Sequence, residues 1–186
     1  VDAMQSLRQG TIRDARADGS LSLYEFQGNN VGGGMFNVLK APFDDVRVRK
    51  GLTHLNSQEN VIEALGGTGI SLPGSQWFSP DSVWYSEKVA AAWPQFDFEG
   101  GVALVGEYVN DPERSDGKAV GEKIDVELSG PPDPTLIAAM QVIEQVWTQT
   151  ELVNVTLTQF DQQTHINKAV TDEHNAHCWR FSDDND

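Results

Sequence analysis

The sequence has little that would cross-link the chain, span a membrane or attract polyanions. Cys178 is the single cysteine, which excludes an internal disulfide and a cysteine-based zinc cluster. No run of about 18 apolar residues occurs, so no segment predicts a transmembrane helix. Lys and Arg total 13 against 28 Asp and Glu, a formal net charge of −15. Because phosphate groups need a basic surface, this charge argues against nucleic acid as a partner and against adsorption to anionic lipid.

Signatures of common catalytic sites are also missing. Gly-x-Ser-x-Gly does not occur, and the glycine run at 32–34 lacks the Gly-Lys-Ser/Thr ending of a phosphate-binding loop. Cys178 lies in an apolar strand pattern, where a buried and unreactive thiol is expected. These patterns therefore single out no catalytic or metal-binding residue and indicate no cofactor.

The apolar residues predict an α/β fold, an open mixed sheet with βαβ units and flanking helices. With 186 residues and 39% hydrophobic residues, the chain can bury one core as a single domain. The periodicity predicts helices at 1–9, 44–55, 57–65, 86–93, 98–109, 135–149 and 160–170, and strands at 20–27, 36–39, 123–128, 152–157 and 176–181. Asp133 and Pro134 have the residue types that begin a helix. In the helix at 160–170, Phe160, Ile166 and Val170 are expected to face the core.

Two segments are expected to be irregular. Residues 29–34, which end in three glycines, predict a flexible link. Residues 66–84 are rich in Gly, Ser and Pro and predict a long loop, of the length that is usually functional or disordered. Aromatic residues lie in or beside this loop, among them Trp77 and Trp84. They pack the loop onto the domain or line a ligand cleft.

The segment 36–65 carries a resemblance to a known family. It reads Asn37, four residues, then Pro42-Phe43-Asp44-Asp45-Val46-Arg47-Val48-Arg49, followed by a small residue, Leu and a polar helix cap. This pattern resembles the signature of the family 5 extracellular solute-binding proteins, the dipeptide, oligopeptide and nickel receptors of ABC importers. The sequence departs from the family at Gly51, where Ala is usual, and at residues 55–58.

The resemblance implies one lobe of a two-lobed periplasmic-binding-protein type II fold. Residues 1–34 would be the end of the first lobe and the approach to the hinge, and residues 35–186 the second, ligand-closing lobe as a single compact domain. The implied function is that of a receptor and not of an enzyme: it binds a ligand, most simply a peptide, closes at the hinge and delivers the ligand to ABC permease subunits in the membrane. A periplasmic or extracytoplasmic monomer is implied, with its leader peptide outside this sequence. Nickel complexes, sugars and opine-like ligands also remain open.

The resemblance also implies a ligand site at the end of the last strand. It places Asp183 on the acidic residue that pairs with the ligand's α-ammonium group in peptide-binding members, where a carboxylate would form a charge-assisted hydrogen bond. Trp179, Arg180 and Trp77 complete the predicted ligand-binding set. The alternatives are a solvated acidic end for Asp183 and a surface ion pair for Arg180.

Other chemistries are weaker alternatives. The acidic run at 183–186 is too short for an EF-hand. His165, His174 and His177 are close in sequence, but His174 and His177 on one extended segment would point to opposite faces, which disfavours a zinc site. A metal-assisted hydrolase that uses Asp183, Asp184 and His177 is the alternative function, and an interaction domain fused to another protein is the third.

Overall fold

The computed structural model describes residues 3–6, 8–26 and 30–182. These residues form seven helices and four strands, in the order α1 (Gln9–Ala17), β1 (Asn30–Phe36), α2 (Val46–His54), α3 (Gln58–Ala64), α4 (Glu87–Ala92), α5 (Phe98–Val109), β2 (Ile124–Gly130), α6 (Pro134–Gln149), β3 (Val153–Gln159), α7 (Gln162–Val170) and β4 (Ala176–Ser182). Among the described residues, no helix is both long enough and apolar enough to cross a bilayer.

The four strands form one mixed, open sheet in the order β1-β4-β2-β3. Strand β2 runs parallel to both β3 and β4, whereas β1 runs antiparallel to β4. The crossovers β2-α6-β3 and β3-α7-β4 move in opposite directions along the sheet. Because such crossovers are right-handed, α6 and α7 lie on opposite faces. The predicted mixed α/β sheet with βαβ units is confirmed.

The face of the sheet that α6 covers, the α6 face, carries the hydrophobic core. Helices α2 and α5 pack on this side as well, and Phe36 stacks on Phe43 with ring centroids 4.6 Å apart. The buried apolar residues at the centre of this core are Phe43, Val48, Leu52, Leu55, Val105, Tyr108, Val109, Ile124, Val126, Leu128, Met140, Trp147, Val153 and Ala176.

Two glycines set how closely α2 and α5 approach. A Cβ on Gly51 would lie 2.7 Å from a methyl carbon of Val105, and one on Gly101 would lie 2.8 Å from Cγ of Leu55 and 2.9 Å from the Gly51 carbonyl oxygen. Real side chains do not tolerate such distances. The glycines of α5 lower its helix propensity, but Gly101 is required by the packing.

Side-chain caps fix where the helices begin. Asp133 accepts hydrogen bonds from the amides of Thr135 and Leu136, and Pro134 is the first residue of α6, as predicted. Asp45 caps α2 by accepting from the amide of Arg47. Ser57 caps α3 by accepting from the amide of Asn60.

Several predictions for the N-terminal part of the chain are wrong. The first helix spans Gln9–Ala17 rather than 1–9, and residues 20–26 form no strand. Their apolar side chains, Leu21, Leu23, Tyr24 and Phe26, are exposed. Part of the predicted flexible link is strand β1, and the strand predicted at 36–39 ends at Phe36. Backbone ladders need no side chains, so the glycines can pair with β4 despite their low strand propensity.

The inward face of α7 is also different from the prediction. Ile166 and Val170 are 37% and 73% exposed, so neither belongs to the core. His165 is 2% exposed and faces the sheet instead. The apolar periodicity of a short helix therefore identified the wrong side, because a histidine occupies the buried stripe.

Candidate functional site

The carboxyl edge of the sheet is the candidate site, because ligands of open α/β sheets bind outside the carboxyl ends of the strands. β2 ends at Gly130 and β3 at Gln159, and β1 begins at this edge. β4 pairs with β2 through Ala176 and His177 and continues beside β1 to Ser182. The end of β4 thus projects past β2.

Two of the predicted ligand residues lie on this projecting end. Trp179 is half-buried, and its ring centroid lies 5.5 Å from that of His165. Arg180 is exposed and lies opposite Gly32 in the β1–β4 ladder. Because consecutive strand residues point to opposite faces, these two side chains cannot face one ligand from the same side. Asp183 and Asp184 lie outside the described residues, so the role of Asp183 stays a prediction.

The third predicted region, the loop between α3 and α4, also approaches this edge. A Cβ on Gly74 would lie 3.5 Å from Val31, the second residue of β1. Trp77 follows three residues later and is 59% exposed. Gly74 thus lies against the start of β1, and the ligand role of Trp77 stays a prediction.

Reciprocal side-chain bonds hold this loop in place. Gln58 donates to the carbonyl oxygen of Gly74 at 2.7 Å and accepts from its amide at 2.8 Å. Gln76 makes the same pair of bonds to Ser86, at 2.9 and 3.1 Å. On α1, Arg13 and Arg16 donate to the carbonyl oxygens of residues 66 and 69. The predicted long loop exists, and these bonds give it a defined course.

Behind the projecting strand lies a stack of three histidine rings. His165 on α7 lies 4.2 Å from His177 on β4, and His177 lies 4.8 Å from His174, measured between ring centroids. The three residues are 2%, 0% and 5% exposed in that order. Trp179 continues the row against His165. We call His165, His174 and His177 the histidine stack.

A residue that is distant in sequence, Asn37, holds the stack in place. Asn37 donates from its side chain to the carbonyl oxygens of Asp172 and His174, at 2.9 and 3.0 Å. These bonds fix the turn that enters β4. His174 lies in this turn rather than on the strand, so the strand alternation does not apply to it. The prediction that His174 and His177 point apart is therefore wrong.

Hydrogen bonds indicate the tautomers of His165 and His177. His165 Nε2 donates to the Cys178 carbonyl oxygen at 3.0 Å, which leaves Nδ1 as a bare acceptor. Ser129 donates to the Ala176 carbonyl oxygen, so His177 Nδ1 donates to the Ser129 oxygen and Nε2 is bare. His174 Nδ1 faces the Lys168 carbonyl oxygen at 3.4 Å, and its Nε2 is without a partner. The hydrogen bonds of His165 and His177 are those of neutral rings.

Burial opposes a positive charge on two rings of the stack, His165 and His177. It lowers the pKa of His177 to about 4, with a smaller contribution from the neighbouring His165 and His174. Burial likewise lowers the pKa of His165. It raises the pKa of the Cys178 thiol to about 11, which supports the prediction of an unreactive cysteine.

The stack is not arranged as a metal centre. The lone pairs of an imidazole lie in the ring plane, and the stacked pairs are tilted by 36° and 24°, so their nitrogens do not converge on one point. Within the described part of the chain, no three His, Cys, Asp or Glu residues are placed to hold a metal ion. The hydrolase alternative needs His177 in contact with substrate, but this ring is fully buried.

Two shallow grooves lie elsewhere on the molecule, between α3 and α6. Their volumes are about 190 and 420 Å³, and both are lined by Asn60, Val142, Val146 and Gln149. These residues of α6 belong to its C-terminal half, which lies near the start of β3. The grooves are thus at the other end of the sheet from the candidate site, and neither is lined by Trp77, Trp179 or Arg180.

Sequence comparison identifies the family from the whole chain. The family model of "Bacterial extracellular solute-binding proteins, family 5 Middle" matches residues 1–186. The dipeptide-binding protein of Escherichia coli (strain K12) is 33% identical over 102 residues, which is 50% of this chain and 19% of that protein.

Solved structures share the fold at low identity. NikA from Staphylococcus aureus, solved in complex with Ni(L-His)2, matches with a TM-score of 0.70 at 14% identity, over 94% of this chain and 34% of NikA. The periplasmic binding protein DppA from Helicobacter pylori, in complex with the peptide STSA, matches with a TM-score of 0.70 at 11% identity, over 95% of this chain and 32% of DppA. The chain thus spans about a third of the length of these solved relatives.

Proposed function

Because the chain belongs to the bacterial extracellular solute-binding proteins of family 5, with residues 1–186 matched, we propose that it is the ligand-closing lobe of an ABC-importer receptor for peptides. In this proposal residues 35–186 form the lobe, and residues 1–34 lead from the first lobe through the hinge. The receptor works outside the cytoplasm as a monomer, without catalysis. The match along the whole chain is the observation that carries the proposal.

The proposed cleft lies at the carboxyl edge of the sheet. Trp179 and the Trp77 loop lie toward this edge, and Asp183 follows the end of β4 directly. An ionised carboxylate there would pair with the α-ammonium group of a peptide. The half-buried indole of Trp179 would supply apolar contact area for a peptide side chain. Two lobes would then close on the ligand by a hinge motion, and the closed form would dock on the permease.

The relative from Escherichia coli is named a dipeptide-binding protein, and DppA from Helicobacter pylori is solved in complex with a peptide. NikA is solved with a nickel–histidine complex, so this ligand class must be tested beside peptides. Peptide is the proposed class because the carboxylate of Asp183 would form a charge-assisted hydrogen bond with a free α-ammonium group.

A thermal-shift comparison tests the proposal. The longer parent protein and this 186-residue chain are screened side by side with di- to pentapeptides and with nickel–histidine. A ligand raises the melting temperature of the state that binds it. We expect peptides to stabilise the parent and to have little effect on the isolated chain, which offers half of the cleft.

A matched variant sharpens this test. Asp183→Asn in the parent removes the charge while keeping the size, and peptide stabilisation should fall sharply. The neighbouring Asp184→Asn serves as the control and should leave it intact. Stabilisation by nickel–histidine alone would replace the peptide proposal, and micromolar peptide binding by the isolated chain would contradict the half-cleft argument.

A further inference from the structure

The histidine stack joins the elements that carry the end of β4. His165 belongs to α7, His174 to the turn that Asn37 holds, and His177 to β4. His165 also donates to the Cys178 carbonyl oxygen, next to the point where β2 stops pairing with β4. A ring on α7 thus attaches this helix to the projecting strand. Nothing in a ligand-binding role by itself requires three stacked histidines here.

The arrangement offers no acceptor for the N–H group that an added proton would create. Three ring nitrogens, Nδ1 of His165 and Nε2 of His174 and His177, are bare and without a hydrogen-bond partner. A proton on any of them would create a buried cation whose new N–H donor has no acceptor, and both effects are costly. The rings lie 4.2 and 4.8 Å apart, so a second proton would also meet like-charge repulsion.

The charged groups around the stack do not offset such a cation by an ion pair. From α7, Lys168 adds a positive charge that acts on His177 in the unfavourable direction. Cys178 on β4 stays neutral.

The neighbouring strands supply no partner either. On β2, Ser129 bonds to His177, and Asp125 is paired with Lys118 at 2.7 Å. Glu127 is the acidic residue on the strand face that holds Ser129, while β1 places Met35 opposite His177. No salt bridge from Glu127 to the described histidines occurs within 4 Å.

We propose that the histidine stack is an acid-sensitive latch, which holds α7 against β4 when its rings are neutral and releases both elements when they are protonated. Opening exposes the bare nitrogens to water, so the proton is bound more tightly in the open form. The latch therefore opens as the pH falls. Because Trp179 is the outermost ring of the row, opening also frees the strand end that precedes residue 183.

Hydrogen exchange of the 186-residue chain, followed by mass spectrometry, tests the latch. Amides of α7 and β4 are compared at about pH 7.5 and pH 5, after correction for the intrinsic pH dependence of exchange. With a pKa of about 4 for His177 in the folded chain and about 6.5 when exposed, linkage predicts about thirtyfold faster exchange of these amides at pH 5. Helix α5, on the α6 face, serves as the internal reference, and the exchange of its amides should not accelerate in this way.

Two substitutions separate the latch from a general acid effect. His177→Phe keeps a stacked aromatic ring without a titratable nitrogen and should reduce the acceleration to about threefold or less. His54→Gln removes the histidine outside the stack, whose Nδ1 lies 2.7 Å from the Gln95 carbonyl oxygen, and should behave as the wild type. Equal exchange of α7 at both pH values in the wild type, or an undiminished acceleration in His177→Phe, overturns the proposal.

The wild-type protein gives an independent readout if His177→Phe does not fold. Nitrogen-15 spectra of labelled histidines report the protonation of each ring. We expect His177 to become protonated over the same pH range in which α7 exchange accelerates. Protonation of His177 with α7 still fully protected would show that the ring can be charged in place, and the latch would be rejected. Neither experiment requires a ligand, so its outcome is separate from that of the transport proposal.

Discussion

The two faces of the sheet are buried in different ways, although the same strands supply both. On the α6 face, Ala176 and Cys178 of β4 meet apolar side chains and large aromatic rings. On the α7 face, His177 and Trp179 of the same strand meet histidine rings. Burial at His177 is as complete as in the core. The difference is that the α6 face is stabilised by apolar area, whereas the α7 face depends on neutral polar groups and is therefore sensitive to pH.

Loss of a large ring from the α6 face should have the largest effect. Trp147 is 2% exposed, and Trp147→Ala should lower the free energy of unfolding by about 3–5 kcal/mol, because it removes apolar burial and leaves a cavity. Urea denaturation at neutral pH measures this. Trp84→Ala is the control, since Trp84 is 68% exposed and its loss should cost about 0.5 kcal/mol or less. Equal costs for the two would mean that the α6 face is not the main core.

At pH 5, the preference of the unfolded chain for protonated His177 should lower the free energy of unfolding by about 2 kcal/mol. The pKa of His177 is lowered to about 4 in the folded chain, so the unfolded chain binds the proton more tightly. The stability contributed by the neutral ring is thus complete above about pH 6.5 and is lost as the pH falls toward 4. Urea midpoints measured from about pH 7.5 to 5 should fall in the wild type, and much less in His177→Phe.

Carboxylates act in a different pH range. The pKa of Asp45 is lowered, chiefly by its hydrogen bonds with Arg47, and the pKa of Asp111 is lowered by hydrogen bonds with the Glu113 amide and Arg47. Stability from these groups is present above their ordinary pKa of about 4 and is lost below it. A fall in stability above pH 5 that persists undiminished in His177→Phe would therefore count against His177 as its source.

The contact between α2 and α5 should distinguish two glycines of one helix. Gly101→Ala places a Cβ within 2.9 Å of the Gly51 carbonyl oxygen, and we expect a cost of about 1–3 kcal/mol. Gly106 has 3.8 Å of clearance to Leu152, so Gly106→Ala should stabilise α5 by up to about 1 kcal/mol. Thermal unfolding of both variants gives the comparison. The same sign for both would show that helix propensity, rather than packing, decides.

The sequence predicted the α6 face far better than the α7 face. Period and capping signals are strong where apolar residues repeat, as in α6 after Asp133 and in α5, whose bounds of 98–109 match the structure. The glycine-rich β1 carries no such signal, because it is a strand only through its pairing with β4. The three histidines are close in sequence, but the pattern does not predict their contact, because the turn held by Asn37 brings His174 against His177. Contact across such a turn depends on tertiary structure that local periodicity does not encode.

The smallest expected effect concerns Val170, which the sequence placed in the core. It is 73% exposed on α7, so Val170→Ala should change the free energy of unfolding by about 0.5 kcal/mol or less. The same substitution at Val105, fully buried in α5, should cost about 2 kcal/mol, since it removes two methyl groups from a packed core. Both variants can be measured in one urea series. A large cost at Val170 would mean that α7 buries an apolar stripe after all, and the α7 face would then owe its stability to apolar area in the same way as the α6 face.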